Sequence, residues 1–78
     1  MKTKRRNDLD ICADILKVAT GGARKTRIVY QANLNFRIVK GYLERLIELG
    51  LLCFEAPCYH ATPRGSRFVD DFERLFAA

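Results

Sequence analysis

The sequence predicts a mainly α domain with one small β-hairpin, in the order helix, helix, helix, hairpin, helix. Three observations carry that prediction. Apolar residues recur at spacings of three and four over three long stretches, the pattern of helices buried on one face. Glycine and asparagine punctuate those stretches at 21–22, 33–35 and 50, where chains turn. One apolar run, Leu51-Leu52-Cys53-Phe54-Glu55, is too short for a helix, and Ala56-Pro57 separates it from a second short run, Cys58-Tyr59-His60-Ala61.

Residues 1–6 form a basic tail ahead of the first helix, which is expected over 8–20. Asn7 or Asp8 can cap it, and Asp8 and Asp10 suit its positive N-terminal end. Leu9, Cys12, Ile15, Leu16 and Ala19 mark its buried face, and Gly21-Gly22 ends it. A second, short helix covers about 24–32, with Ile28, Val29 and Ala32 inward. After a brief break Asn35 caps a third helix over 36–49, whose apolar stripe is Phe36, Val39, Leu43, Leu46 and Ile47. Gly50 stops it. In the hairpin, Leu52, Phe54, Tyr59 and Ala61 share one face, and Cys53, Glu55, Cys58 and His60 share the other. Thr62-Pro63 supplies the cap and first turn of the last helix, about 63–76, with Phe68, Val69, Phe72, Leu75 and Phe76 on its apolar side. Two helices joined by a tight turn and followed at once by a hairpin describe a winged helix-turn-helix.

The 78 residues hold one domain with a modest core. Apolar residues make up 49% and charged residues 29%, which argues against disorder. The net charge is +5, and it is uneven. Residues 1–41 carry ten Lys/Arg and three acids, whereas residues 42–78 carry four Arg and six acids. A contact surface for a polyanion, built from the first half, accounts for that asymmetry. The basic start runs into Asn7-Asp8-Leu9-Asp10 rather than an apolar stretch, so it is not a signal peptide. No run approaches the roughly 20 apolar residues of a membrane span. Three cysteines, an odd number, do not suggest a disulfide framework. A cytoplasmic protein with reduced thiols is expected.

Several motifs taken together resemble an archaeal family of winged helix-turn-helix regulators. They are Lys25-Thr26-Arg27-Ile28, Ala32-Asn33-Leu34, Tyr42-Leu43, Leu49-Gly50-Leu51 and Tyr59-x-x-Thr62-x-x-Gly65. The resemblance covers about residues 8–76. That family includes small basic DNA-binding proteins, some of which dimerise through a C-terminal antiparallel coiled coil. It therefore implies double-stranded DNA as the partner, in transcription regulation or as a small architectural protein. The chain departs from the family's pattern at Asn35, where a small hydroxyl residue is common, and at Gly41, where a polar helix former is common. Its hairpin tip is very short, and its last helix is too short for a long coiled coil.

At 100° per residue, Arg37, Gly41 and Arg45 lie opposite the apolar stripe of the third helix, with Ile38 beside them. Glu44 and Glu48 share that side further along. A recognition helix reads base edges mainly with its N-terminal residues. Arg pairs with guanine, Asn with adenine, and an apolar group touches the thymine methyl, so Asn35, Arg37 and Ile38 are the base-reading candidates. Gly41 leaves two readings open: close approach of the helix backbone to a phosphate or base, or a glycine that is merely tolerated on the surface or packs closely against another helix. Lys25, Thr26 and Arg27 start the second helix, where free backbone N–H groups suit a phosphate. Arg24, Arg64, and Arg5 and Arg6 with the other tail cations are candidate DNA-backbone contacts.

Other chemistry finds little support. Gly21-Gly22-Ala23-Arg24-Lys25-Thr26 lacks the glycine before the lysine that a phosphate-binding loop needs. Cys53, Cys58 and His60 share a hairpin face but contain no Cys-x-x-Cys pair, so no metal or cofactor is expected. His60 is the only histidine, and no second base accompanies it, so no enzyme is expected. Phe68, Phe72, Leu75 and Phe76 crowd the last helix and are candidate contacts of a twofold homodimer. The alternative to DNA binding is a protein–protein interaction module of the same fold, with a partner covering the third helix.

Overall fold

A computed structural model describes residues 7–76 of the 78. Helix α1 spans Asp8–Val18, α2 Lys25–Gln31, α3 Phe36–Glu48 and α4 Pro63–Phe76; strands β1, Leu52–Glu55, and β2, Cys58–Ala61, form one antiparallel hairpin. The predicted order and fold class are those observed.

Helix α1 opens with a reciprocal cap. The Asn7 side chain accepts from the Asp10 N–H at 2.9 Å, and the Asp10 carboxylate accepts from the Asn7 N–H at 3.5 Å. Its end departs from the expectation. The α-helix stops at Val18, and Ala19–Gly21 tighten into one 3-10 turn. Gly22 follows at φ +89°, and a Cβ there would stand 2.7 Å from the His60 ring. Both the backbone angle and the ring demand glycine.

The turn between α2 and α3 uses its two asparagines in sequence. Asn33 adopts the left-handed conformation, φ +58°. Its N–H bonds the Tyr30 carbonyl at 3.3 Å, and the Leu34 N–H reaches the Val29 carbonyl at 2.9 Å. These are the two bonds of a Schellman stop. Asn35 then opens α3, its Oδ1 accepting from the Ile38 N–H at 2.8 Å. The far end of α3 repeats the stop with Gly50 at φ +80° and the Leu51 N–H on the Leu46 carbonyl at 2.9 Å.

Strand pairing sets Leu52 opposite Ala61, Phe54 opposite Tyr59, Cys53 opposite His60 and Glu55 opposite Cys58, so the two hairpin faces are those expected. β1 starts at Leu52, one residue later than the apolar run. The hairpin is tied to the rest of the chain by an isolated bridge. Ala23 and Tyr59 exchange two backbone bonds, 2.9 and 2.7 Å long, just ahead of α2. At the start of α4 the Thr62 hydroxyl donates to the Gly50 carbonyl at 2.7 Å and accepts from the Gly65 N–H at 3.1 Å. Gly65 is buried so tightly that a Cβ would fall 2.1 Å from the Leu51 carbonyl oxygen.

The core gathers Ile15 and Leu16 of α1, Ile28 and Val29 of α2, Val39, Leu43 and Leu46 of α3, then Leu52 and Val69. Among the described residues no polar or charged side chain is buried. Several predicted stripe residues are not core. Leu9 is 52% exposed, because it precedes the segment around Ala13–Leu16 where α1 meets the core. Phe36 and Ile47, on the flank of α3, and Leu75 and Phe76, at the end of α4, are exposed too. Among the described residues, no helix is long and apolar enough to cross a membrane.

Candidate nucleic-acid interface

Helix α2 begins without a side-chain cap. Arg24 occupies the cap position in extended conformation, and its side chain makes no capping bond. The first N–H groups of α2 therefore have no side-chain acceptor there, and Arg24, Thr26 and Arg27 are exposed around them with Lys25 half-buried. A shallow hollow of about 420 Å³ lies at this end, lined by Gly22, Ala23, Arg24, Thr26, Arg27 and Cys58. The hairpin thus borders the start of α2, through the same Ala23–Tyr59 bridge that anchors it.

On α3, Arg37, Ile38, Lys40 and Gly41 are exposed, and a Cβ at Gly41 would meet nothing within 4 Å. Packing against another helix is therefore not the reason for this glycine. Asn35 spends its side-chain oxygen on the cap, which leaves its amide nitrogen as donor. Lys40 was not singled out by sequence reasoning, because at 40° from Phe36 it falls on the edge of the apolar stripe.

Arg45 stands apart from Arg37. It turns towards the start of α1 and lines a groove of about 270 Å³ with Ile38, Gly41, Tyr42 and Leu49 on one side and Asp8 and Cys12 on the other. The Tyr42 hydroxyl donates to the Asp8 carboxylate at 2.7 Å. That hydrogen bond, more than burial or the Asp8 charge, raises the Tyr42 pKa above its ordinary value. Burial raises the Cys12 thiol, Asp8 adds to the rise, and Arg45 opposes it.

Charge pairing separates the two sides of the molecule. Among the described residues, the one Lys or Arg ion pair joins Lys17 of α1 to Glu73 of α4, at 2.9 Å. None of Arg24, Lys25, Arg27, Arg37, Lys40 or Arg45 pairs with a described carboxylate.

A family model described as winged helix-turn-helix matches residues 5–78. The chain belongs to the winged helix-turn-helix family. Among solved structures it is similar to Sso10a-2, a DNA-binding protein from Sulfolobus solfataricus, at 26% identity and a TM-score of 0.82, over 92% of this chain and 80% of that one. It is similar to IdeR of T. acidophilum at 24% identity and a TM-score of 0.72, over 92% of this chain and 35% of that one. A third likeness is to BpsR of Bordetella bronchiseptica, at 19% identity and a TM-score of 0.72, over 99% of this chain and 63% of that one. The last two bear on the fold alone. No curated protein matches the chain. The archaeal winged helix-turn-helix resemblance read from the motifs agrees with the family and with the Sulfolobus likeness.

In this winged helix-turn-helix the hairpin is the wing, and its tip is only Ala56-Pro57. Cys53, Cys58 and His60 share one wing face, with His60 3.9 Å from Glu55. Among the described residues, no three His, Cys, Asp or Glu side chains gather around a metal-sized space. Arg64 lies against Gly50, at the C-terminal end of α3. A helix rise of 1.5 Å per residue puts it roughly 20 Å from the start of α3. Arg5 and Arg6, with the rest of the tail, lie outside the described residues. On α4, Phe68, Phe72 and Phe76 form a ladder with ring centroids 6.1 and 4.8 Å apart, running from the half-buried Phe68 to Phe76, 66% exposed.

Proposed function

We propose that this chain binds double-stranded DNA, as a transcription regulator or small architectural protein, with α3 in the major groove. The observation that carries the reading is the set of cations on α2 and α3 with no described carboxylate beside them, next to a helix whose backbone is bare at Gly41. In this fold the second helix of the motif lies in the groove and the first crosses the phosphate backbone. Arg37, Ile38 and the Asn35 amide then face base edges. Lys25, Thr26 and Arg27, with the uncapped α2 N–H groups, take a phosphate, and Arg24 and Lys40 flank it. Gly41 lets the α3 backbone come close. Arg45 contributes from the α1 side of the helix. The likeness to a DNA-binding protein of Sulfolobus supports the same reading.

Fluorescence anisotropy with labelled duplexes at two salt concentrations tests it. Four backbone cations, Arg24, Lys25, Arg27 and Lys40, predict a log–log salt slope of roughly −3 to −4 per protomer. Arg37→Ala should flatten discrimination between sequences, whereas Lys25→Ala should weaken all duplexes alike. Absence of duplex binding at low salt sinks the reading.

The aromatic ladder of α4 supports a second step, pairing of two copies through Phe72, Leu75 and Phe76. A row of rings that runs outward from the core into solvent is better covered by its own symmetry mate than left wet. Sedimentation equilibrium should show a dimer, and Phe76→Lys should shift it to monomer. A wild-type monomer at all concentrations refutes the pairing.

A further inference from the structure

The groove between α1 and α3 has a use that DNA contact does not require. Its two sides carry opposite charge. Asp8 stands on the α1 side and Arg45 on the α3 side, yet the two do not form an ion pair with each other. Both fields reach the space between them, since Asp8 and Arg45 act with opposite sign on the same Cys12 thiol and the same Tyr42 phenol. Tyr42 holds one Asp8 oxygen at 2.7 Å and leaves the other without a described partner. The apolar part of the lining, Ile38 and Leu49, is exposed and belongs to α3 and its C-cap. At Gly41 the floor has no side chain and no neighbour within 4 Å.

The chemistry of an occupant follows. A simple anion on Arg45 would meet the Asp8 carboxylate, and a simple cation on Asp8 would meet the guanidinium. A molecule carrying both charges close together satisfies both sides. The apolar lining asks for a hydrocarbon or aromatic body. The volume, about 270 Å³, lies just below the roughly 300–1,000 Å³ of sites for drug-sized ligands, so the occupant is small. We propose that this groove binds a free α-amino acid with an apolar side chain, its carboxylate on Arg45, its ammonium on Asp8, and its side chain against the apolar lining of α3. Binding would withdraw Ile38 and Arg45 from the DNA face, so the ligand would weaken DNA binding. That consequence rests on the DNA reading above; the binding itself does not.

The test is a nitrogen-15 NMR titration of the DNA-free protein with L-leucine and L-phenylalanine, beside 3-phenylpropionate, which lacks the ammonium, and 2-phenylethylamine, which lacks the carboxylate. Saturable shifts centred on residues 8, 12, 38, 41, 42, 45 and 49 are expected for the amino acids. Each analogue should bind about tenfold more weakly or worse, because each leaves one charged group unpaired. Asp8→Asn, which keeps a carbonyl oxygen to accept from the Tyr42 hydroxyl, should bring L-phenylalanine down to the level of 3-phenylpropionate. No saturable shifts, shifts centred elsewhere, or equal binding of the three phenyl compounds overturns the proposal. A duplex titration with and without L-phenylalanine reads the regulation separately. If the amino acid binds and duplex does not, the DNA reading fails and the site stands; if duplex binds and the amino acid does not, the reverse holds.

Discussion

Replacing Gly41 with alanine should make the protein more stable and a poorer DNA binder at the same time. A glycine in an exposed helix interior is less favourable than alanine by roughly 1 kcal/mol, through the backbone entropy it loses on folding. Gly41 lies in the middle of Phe36–Glu48 with a negative φ, and an added Cβ would meet nothing within 4 Å. The full propensity gain should therefore appear as stability. For a domain of this size, 1 kcal/mol is about 4–8 °C in Tm. The same methyl group would stand on the surface proposed to face the DNA. Losing one close backbone contact, about 1.4 kcal/mol, would lower affinity about tenfold. Differential scanning calorimetry and duplex anisotropy on one preparation read both numbers. If Tm does not rise, the space around Gly41 is not open. If Tm rises and affinity holds, α3 does not approach DNA through its bare backbone.

Gly65→Ala is the opposite case. Its new carbon would press within 2.1 Å of the Leu51 carbonyl oxygen, which also accepts the Thr62 N–H, so neither side can yield. Urea unfolding should show a loss of at least about 1–3 kcal/mol. At Asn33, whose φ is +58°, valine should cost about 1–2 kcal/mol and glycine should be tolerated, again by urea unfolding. Tyr42 keeps its proton more tightly folded than unfolded, so the Asp8 bond contributes fully below about pH 10 and is lost as pH rises through the raised value. The stability difference between wild type and Tyr42→Phe should therefore be constant at neutral pH and shrink in alkali; a constant difference throughout refutes that coupling.

Order and type of the four α-helices and two strands were legible because each was announced by local chemistry. Asn7 and Asn35 cap, Gly22 and Gly50 turn left-handed, and Thr62-Pro63 opens α4. What the periodicity could not give was extent. A spacing of three and four tells which face of a helix is apolar, not how far along it the partner surface reaches. Leu9, Ile47 and Leu75 all continue a stripe beyond the core that the stripe covers. The 3-10 turn at Ala19–Gly21 escaped for a related reason: Ala19 is buried either way, so the pattern does not register the tighter winding. For the site, the wheel placed Arg37, Gly41 and Arg45 outward, and all three are exposed, but it gave no sign that Gly41 and Arg45 also line a groove against α1. Nothing local in the sequence says that the start of α1 runs past that flank of α3, thirty-four residues away for the Tyr42–Asp8 bond. The bridge between Ala23 and Tyr59 is invisible for the same reason, since it is made of backbone.

That bridge has one more implication. The wing is fastened to the entrance of α2 by two main-chain bonds, with the His60 ring against Gly22 beside them, so the spacing between the two is a gauge block that the wing tip does not set. Glu55, Ala56, Pro57 and Cys58 can be exchanged without resetting the gauge. Substitutions at the wing tip should therefore change only what the tip itself presents, while those at Ala23 or Gly22 would move the wing against the helix.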